Sequence, residues 1–544
     1  VLMRIFYNKS FRIFTTIFRI AGVIVAFFSA FSSIAEEQID SQDSSNKLPN
    51  KICFQIDQIE ILQNQILPLR DVEALQSKYQ TRCLRAKDIS DLKRIITNKL
   101  VEYGYVTSRV VIPEQNLQTQ KLLIKIIEGR VEATEYKSGR RIKQDHVLPI
   151  SEDKILNLRD IEQSSDQFSS LISGHKSKIF LKPGKKENTS IIVIDDKELK
   201  VWKLSTGIDN YGSKNKGMEQ SITSIGVENL LKSNDRYFLS HRQSLGDIRR
   251  RYTRIYSGGI SVPYSYHNVN FNVSHSTYRS FIHANNEKFK NSGSGRTYNI
   301  GISSIIHRDR LSKTSTNILY EHDNFSNYIA DNRLEISSYI IDKFAAGVNH
   351  QRRLAGSVLG IGISYVYGIN YHYLKNFGSF AKPHNKFHKV NYNLSWLKVM
   401  QMKPAYFAPK FTSSLSGQFT SQRLAGSEKV TIGGISSIRG YKEQVENSDN
   451  GLYVRNELAL GFIHKDKTTN QILEDTELFV GIDVGRFANY DTKKEVKGMM
   501  SGVAFGIRNN KGLVRFEAMI GKGIKAKYIK PKGSEFYFSI GIDI

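Results

Sequence analysis

Strict two-residue alternation of apolar and polar side chains, recurring through the last two-thirds of the chain, limits more than any other feature what this sequence can fold into. In the final run, Phe536, Phe538, Ile540, Ile542 and Ile544 share one face, and Tyr537, Ser539, Gly541 and Asp543 the other. Val514, Phe516, Ala518 and Ile520 stand in the same way against Arg515 and Glu517, and Leu452, Val454, Leu458 and Leu460 against Arg455 and Glu457. A period of two marks strands. Charged residues behind a wholly apolar face suit a strand that meets lipid on one side and a wet lumen on the other. A soluble sandwich would use the same alternation with its apolar face turned into a core, so periodicity alone does not separate the two. Three further observations select the membrane barrel: about sixteen strands fit into residues 201–544, the chain has 29 Phe and 27 Tyr, and an export signal precedes the strands. A mean hydropathy of -0.37 leaves room for one apolar helix at most, which excludes a helical transporter or channel.

The export signal begins at Met3. Arg4, Lys9, Arg12 and Arg19, with no acid among them, precede an apolar stretch over residues 20–31, and Ser33-Ile34-Ala35 offers a cleavage site before Glu36. Residues 1–35 are therefore read as a signal peptide, with an uncleaved anchor helix as the alternative, and residues 36–50 as a short linker. Cys53 and Cys83 are the only cysteines, and a pair in an exported chain predicts one disulfide rather than two unrelated buried thiols.

Residues 51–130 read as strand, helix, helix, strand, strand. Phe54, Ile56, Ile59 and Ile61 suggest one strand with a bulge, residues 71–80 a short helix, and residues 87–103 a longer one that Gly104 ends. Residues 131–200 repeat the order more loosely, with helices near 152–156 and over 159–172 and strands over 131–136, 177–181 and 189–194. Small mixed modules of this kind have sheet edges to which an extended partner can add a strand.

Particular runs carry a family resemblance. Cys53-Phe54-Gln55-Ile56, Cys83-Leu84, Gly104-Tyr105-Val106-Thr107-Ser108-Arg109-Val110, Pro113-Glu114-Gln115-Asn116-Leu117 and Glu128-Gly129-Arg130-Val131 resemble the first POTRA domain of two-partner secretion transporters, the outer-membrane exporters of haemolysins and filamentous adhesins. Residues 156–163, Leu-Asn-Leu-Arg-Asp-Ile-Glu-Gln, followed by Pro183-Gly184, resemble the second, and Gly207-Ile208-Asp209-Asn210-Tyr211-Gly212-Ser213 looks like the start of the barrel. Ile438-Arg439-Gly440-Tyr441 resembles the tip motif of the long sixth extracellular loop in the larger Omp85 superfamily, and Phe479-Val480-Gly481-Ile482-Asp483-Val484-Gly485 the inner-wall motif that receives it. The resemblance implies a transmembrane antiparallel β-barrel of about sixteen strands over 201–544, preceded by two periplasmic α+β POTRA domains at 51–130 and 131–200, in the outer membrane of a Gram-negative cell. It implies a loop near 420–450 folded into the lumen. The implied function is export of a large partner exoprotein of haemolysin or adhesin type, docked in extended form on the POTRA domains. A monomeric barrel in contact with lipid and lipopolysaccharide is expected.

Alternation turns Leu478, Val480, Ile482 and Val484 outward, so Asp483 points into the lumen with Phe479, Gly481 and Gly485. A guanidinium on an inserted loop can then pair with that carboxylate in bidentate fashion. The functional contact is accordingly expected among Arg439, Gly440, Tyr441, Phe479, Asp483 and Gly485. Tyr105, Arg109, Glu114, Gln115, Arg159 and Gln163 lie in the POTRA motifs and are candidates for partner docking, with holding the domain together as the alternative for several of them. Family members often carry a plug helix and a long linker, whereas fifteen residues between cleavage site and first domain predict no full plug helix.

No GxxxxGK[ST], HExxH or GxSxG run occurs, so no enzyme, cofactor or metal site is expected. The 13 histidines are scattered, and His241, His275 and His350 read as lumen or interface residues. A formal charge of +26 invites a nucleic-acid reading, but its location excludes one. Residues 36–200 hold 27 basic and 25 acidic residues, against 47 and 27 in residues 201–544. A nucleic-acid binder concentrates charge on a soluble recognition domain; here the excess belongs to the strands and their loops, beside anionic lipid or lining the lumen. The alternatives to export are a barrel-assembly factor of the same superfamily and a passive porin.

Overall fold

The computed structural model describes residues 53–137, 149, 151–171, 178–195, 201–284, 287–371, 383–400, 407–462, 475–490, 496–526, 531 and 533–544. The expected signal peptide and linker, and with them the expectation about a plug helix, lie outside these residues.

The first module is built from β1 (Cys53–Ile56), β2 (Gln58–Leu62), α1 (Leu69–Tyr79), β3 (Arg82–Arg85), α2 (Ala86–Glu102), β4 (Arg109–Val111) and β5 (Lys121–Ile127). The bulged strand expected over residues 54–61 is two strands in different sheets. β1 pairs antiparallel with β3, and β2 parallel with β5, whose other neighbour is β4. The chain bends at Asp57, where the backbone N–H groups of Asp57 and Gln58 both donate to the carbonyl of Gln120. Crossing there lets Ile56 and Ile59 enter the same core as Leu92, Ile96, Leu100, Leu122, Ile124 and Ile126. Cys53 and Cys83 are joined by a disulfide, tying β1 to β3. Asp88 accepts from the backbone N–H of Arg85 at 2.8 Å and caps α2, and the backbone N–H of Tyr105 closes its last turn on Leu100 at 2.8 Å.

The second module contains β6 (Arg130–Tyr136), α3 (Leu158–Ser169), β7 (Lys178–Pro183) and β8 (Thr189–Asp195), in sheet order β6-β8-β7. The helix expected near 152–156 does not form. The segment runs extended beside β6 instead: Val131 donates to Lys154 and Asp153 to Val131, both at 2.9 Å, and Leu156 enters the core fully buried. Five residues cannot repay helix nucleation when a sheet edge satisfies their backbone directly. The two modules are joined by hydrogen bonds from Leu158 N to Gly104 O (2.8 Å), Asn157 Nδ2 to Tyr103 O (3.1 Å) and Arg109 Nη2 to Asn188 Oδ1 (2.7 Å).

The barrel comprises β9 (Trp202–Asp209), β10 (Gln220–Glu228), β11 (Arg236–Ser244), β12 (Tyr252–Tyr264), β13 (His267–Ala284), β14 (Glu287–Arg308), β15 (Ser312–Ile329), a two-residue extension β16 (Asn332–Arg333), β17 (Tyr339–Leu354), β18 (Ser357–Asn370), β19 (Lys386–Val399) and β20 (Phe407–Phe419). After a loop that carries β21 (Val430–Ile432) and β22 (Glu446–Ser448) come β23 (Asn450–Phe462), β24 (Thr476–Asn489), β25 (Val496–Asn509), β26 (Val514–Ala526) and β27 (Ser534–Asp543). Leaving out β16, β21 and β22, sixteen antiparallel strands close into a ring, sealed where β27 pairs with β9. Leu239, Phe271, Ile300, Ile318, Phe344, Val480, Ile482 and Phe505 stand exposed on the outside, as the alternation requires.

Helix α3 packs on the turns at the proximal end of the barrel. Gln163 and Gln167 donate to the carbonyl of Ser265, Tyr266 hydrogen-bonds Asp160, Arg308 pairs with Asp166 at 2.6 Å, and Arg236 donates to Ser170 O at 2.9 Å. Burial raises the Asp160 carboxyl, against the pull of the Tyr266 hydrogen bond. Burial pushes Asp166 up as well, but the hydrogen bonds and charges of Arg308 and Lys313 outweigh it and hold that carboxyl below its ordinary value.

Candidate functional site

Residues 420–449 link β20 to β23 at the distal end. They do not project outward. β21 and β22 pair as a hairpin, and its tip descends onto the inner faces of β23–β26. Ile432 and Ile438 are fully buried and pack with Tyr441, Phe487 and Met500, giving the tip an apolar footing inside the lumen.

Arg439 is the centre of the contact. Its Nε donates to Asp483 Oδ2 and its Nη2 to Asp483 Oδ1, both at 2.7 Å, and its own backbone N–H reaches Oδ2 at 3.0 Å. Nη1 donates to Glu457 Oε2 at 2.8 Å. Exposure is 1% for Arg439 and 0% for Asp483. Strand register explains this two-acid grip. Glu457 of β23 lies opposite Gly481 of β24, and Asp483 is the next inward residue along β24. A guanidinium lying over Gly481 therefore has one carboxylate beside it and another diagonal to it. A Cβ at Gly481 would sit 2.0 Å from Arg439 Nη2, so the seat requires glycine. Breaking one side of a buried pair of this kind costs about 3–5 kcal/mol.

The neighbouring residues complete the seat. Gly440 has φ +93° and lies against the backbone of Lys522 and Gly523 in β26. Tyr441 Oη lies 3.0 Å from the carbonyls of both Ser501 and Lys525, on β25 and β26, and shares its one proton between them. Phe479 lies 5.9 Å from the Arg439 guanidinium and 4.5 Å from that of Arg508, facing both as a π surface. Gly485 leaves room for Ile432 and Ile438, whose side chains approach to 3.0 and 3.1 Å of where its Cβ would be. All six residues expected from the two motifs thus meet at one place.

Two parts of the site were not foreseen. Arg508 of β25 pairs with both Glu457 and Glu477, and Lys410 also reaches Glu477, extending the Arg439 contact into a charge ladder along the wall. At the root of the loop, Glu428 is 2% exposed and held by Lys343 of β17 at 3.1 Å and Lys389 of β19 at 2.9 Å. Lys343 also contacts Asp323 at 2.8 Å and Glu321. The inserted loop is thereby fastened at tip and root to different strands of the wall. Alternation placed Glu457 on the inner face, but only register and closure pair it, and likewise Lys343 and Lys389, with residues far away in sequence.

The docking candidates are placed differently. Arg109 bridges the modules through Asn188, and Gln115 holds its own loop to β5, accepting from Leu123 N at 2.7 Å and donating to Leu123 O at 2.9 Å. Arg159 is buried and pairs with Glu162 at 2.6 Å. Gln163 is buried in the seam with the barrel, accepting from Arg308 at 3.0 Å. Tyr105 packs half-buried on the first core, and Glu114 is exposed.

Comparison with known proteins agrees with this architecture. The family described as haemolysin secretion/activation protein ShlB/FhaC/HecB matches residues 188–509, a ShlB-type POTRA domain matches 54–129, and a further POTRA domain matches 127–179. The chain is 27% identical to the outer membrane transporter CdiB of Dickeya dadantii, over 84% of this chain and 80% of that one. It is 24% identical to the hemolysin transporter protein ShlB of Serratia marcescens, over 84% and 80%. The structure of CdiB from Escherichia coli superposes with a TM-score of 0.83 at 25% identity, covering 94% of this chain and 93% of that one. CdiB from Acinetobacter baumannii shares the fold, with a TM-score of 0.77 at 19% identity over 97% of both chains. A luminal loop locked by Arg439, two POTRA modules and a closed sixteen-stranded wall thus converge with these matches: the chain belongs to the ShlB/FhaC/HecB family of haemolysin secretion/activation proteins, transporters of the bacterial outer membrane.

Proposed function

We propose that this chain is the outer-membrane pore through which one large secreted partner, a protein of haemolysin or adhesin type, leaves the cell. The partner reaches the periplasm unfolded, docks as an extended segment on the POTRA modules, and threads through a single, monomeric barrel. No catalytic group, metal or cofactor takes part in this reading. With no nucleotide site in the sequence, folding of the partner at the cell surface supplies direction, because it removes the species that could return.

The observation that carries the proposal is the luminal loop fastened by Arg439 to Asp483 and Glu457. A buried bidentate pair holds the loop in one defined position, and a barrel that must pass a polypeptide needs such an element to be both ordered and displaceable. Of the six candidate docking residues, Glu114 remains presented to solvent, while Arg109, Gln115, Arg159 and Gln163 are engaged within the chain. Docking therefore falls to the edge strands β4 and β7, which leave backbone groups open to an added strand.

The test is Arg439→Ala. The variant reaches the outer membrane in normal amount while secretion of the partner falls sharply; normal secretion would sink the proposal. Deleting the gene and comparing secreted proteins with the outer-membrane profile separates the rivals. Loss of one large secreted protein selects export, a general loss of barrels selects an assembly factor, and neither change leaves a porin.

A further inference from the structure

Three neighbouring strands repeat one order on the lipid-facing side at the distal end of the barrel, away from the POTRA modules. Moving outward from mid-barrel, β12 presents Ile260, Gly258, Tyr256, Arg254 and Tyr252. Along β13 the same face presents Phe271, Val273, His275, Thr277 and Arg279, and along β14 Ile302, Ile300, Tyr298, Arg296 and Ser294. The exposure of Tyr256, Ile260, Phe271, Tyr298, Ile300 and Ile302 identifies this face as the outer one. The order is apolar band, then aromatic or imidazole ring, then arginine. Rings mark the membrane boundary, so the guanidinium groups sit just beyond it, at the level of lipid headgroups. His241 of β11, stacked on Tyr256 at 4.6 Å, continues the ring level.

Register draws the arginines together. Arg279 lies opposite Tyr252, Arg254 lies opposite Thr277, and Arg296 lies opposite His275. Arg254 and Arg279 both pack on the single ring of Tyr252, at 5.4 and 5.6 Å. The outward neighbours on the flanking strands are Gln243 opposite Arg254, and Asn324 and Ser326 opposite Arg296 and Ser294. None of these positions holds an acid. Arg254 Nε donates to Gln243 Oε1 at 3.3 Å and Arg279 Nη1 to the carbonyl of Arg249 at 3.2 Å. The Nε of Arg279 is buried with no hydrogen-bond partner among the described residues. Like charges crowded at the edge of a low-dielectric slab repel one another, and an anion at their centre reverses that term.

We propose that Arg254, Arg279 and Arg296, backed by Tyr252, form a binding site for the phosphate of an anionic glycolipid headgroup in the outer leaflet. The guanidinium fork matches phosphate oxygens, and the apolar band below accepts the acyl chains. The site lies outside the lumen and apart from the inserted loop, so it extends beyond the export reading and neither stands nor falls with it. It pins the β11–β14 side of the barrel to the leaflet.

Free inorganic phosphate offers the same oxygen chemistry, so the test must separate it from lipid. The full chain in detergent micelles is titrated with bisphosphorylated lipid A, with the same lipid after phosphatase treatment, and with inorganic phosphate, reading bound lipid by native mass spectrometry. The bisphosphorylated lipid binds, the dephosphorylated lipid does not, and inorganic phosphate at equal concentration does not displace it. Each Arg→Gln change weakens binding roughly fivefold and the triple variant about 100-fold. Arg→Lys changes at all three positions keep the charge, guard against a folding defect, and lose less. Arg310→Gln, at the opposite end of the barrel, leaves binding unaltered. Wild-type binding by the triple Gln variant, equal binding of dephosphorylated lipid, or displacement by inorganic phosphate would each overturn the proposal.

Discussion

Replacing Gly440 with alanine separates the seat of the loop tip from its charge pair. An alanine Cβ there would lie 2.3 Å from the backbone nitrogen of Gly523 and 2.4 Å from the carbonyl carbon of Lys522. Those atoms belong to β26 in a closed ring and cannot step aside. Restoring ordinary contact means lifting the tip by about 1 Å. The same lift carries the 2.7 Å bonds from Arg439 to Asp483 out of hydrogen-bonding range. Loss of the buried pair costs about 3–5 kcal/mol, added to about 1–2 kcal/mol for an L-residue in left-handed backbone. Gly434 is the internal control. Its φ is +87° and the nearest atom to an added Cβ is Val445 Cγ1 at 3.7 Å, so Gly434→Ala carries only the backbone cost. The difference predicts that the tip of Gly440→Ala leaves its seat at least roughly 100-fold more often than that of Gly434→Ala. Single-channel recording of the purified full chain in planar bilayers reads the frequency of wide openings, and protease cleavage within the tip reads its release. Equal gating by the two variants, both correctly assembled, would refute the argument from close approach.

Other outcomes follow from the same geometry. Glu428→Gln removes the carboxylate shared by Lys343 and Lys389, leaving Lys389 the backbone carbonyl of residue 428, and raises low-amplitude channel noise while the Arg439 contact persists; a silent recording would mean the carboxylate does not restrain the loop. Glu457→Gln removes one of two acids from Arg439 and is milder than Asp483→Asn by about 1–3 kcal/mol of loop retention, read as the ratio of opening frequencies. At the seam between α3 and the barrel, the depressed Asp166 carboxyl contributes stability that is fully present above its ordinary pKa of 3.8 and is lost as pH falls through its lower folded value. Hydrogen exchange of α3 should therefore rise only in strong acid, whereas Arg308→Gln should raise it at neutral pH. Replacing both Cys53 and Cys83 with serine opens a closure spanning 30 positions and lowers the stability of the first module by about 3–4 kcal/mol, measured by urea unfolding followed through its helices.

The fold is legible in the sequence where physics is local. Alternation alone turned Asp483, Phe479 and Gly485 inward and Val480 and Ile482 outward, because a strand's side chains have no other periodicity available. The fold is not legible where a segment has competing partners. Residues 54–61 look like one bulged strand, but the Gln120 carbonyl captures the backbone at Asp57 and sends the two halves to different sheets. Residues 152–156 look helical, yet the open edge of β6 claims them first. Gln163 and Arg159 read as candidates for a partner's surface, yet the seam between α3 and the barrel buries Gln163, and Arg159 is buried at the start of α3, beside Gly104 and paired with Glu162.

The amino-acid pattern by itself determined that a closed membrane wall follows two small mixed modules, that its excess positive charge belongs to that wall, and which side chains face the lumen. Tertiary structure alone decided who meets whom. Glu457 and Asp483 grip one arginine because register sets them on either side of Gly481. Lys343 and Lys389 grip Glu428 because the loop turns into the lumen beside β17 and β19. Arg254, Arg279 and Arg296 gather because three strands happen to place them on adjacent rungs. Facing is a property of one strand and can be read along it; pairing depends on closure, shear and the path of a 30-residue loop, none of which is encoded within any single strand.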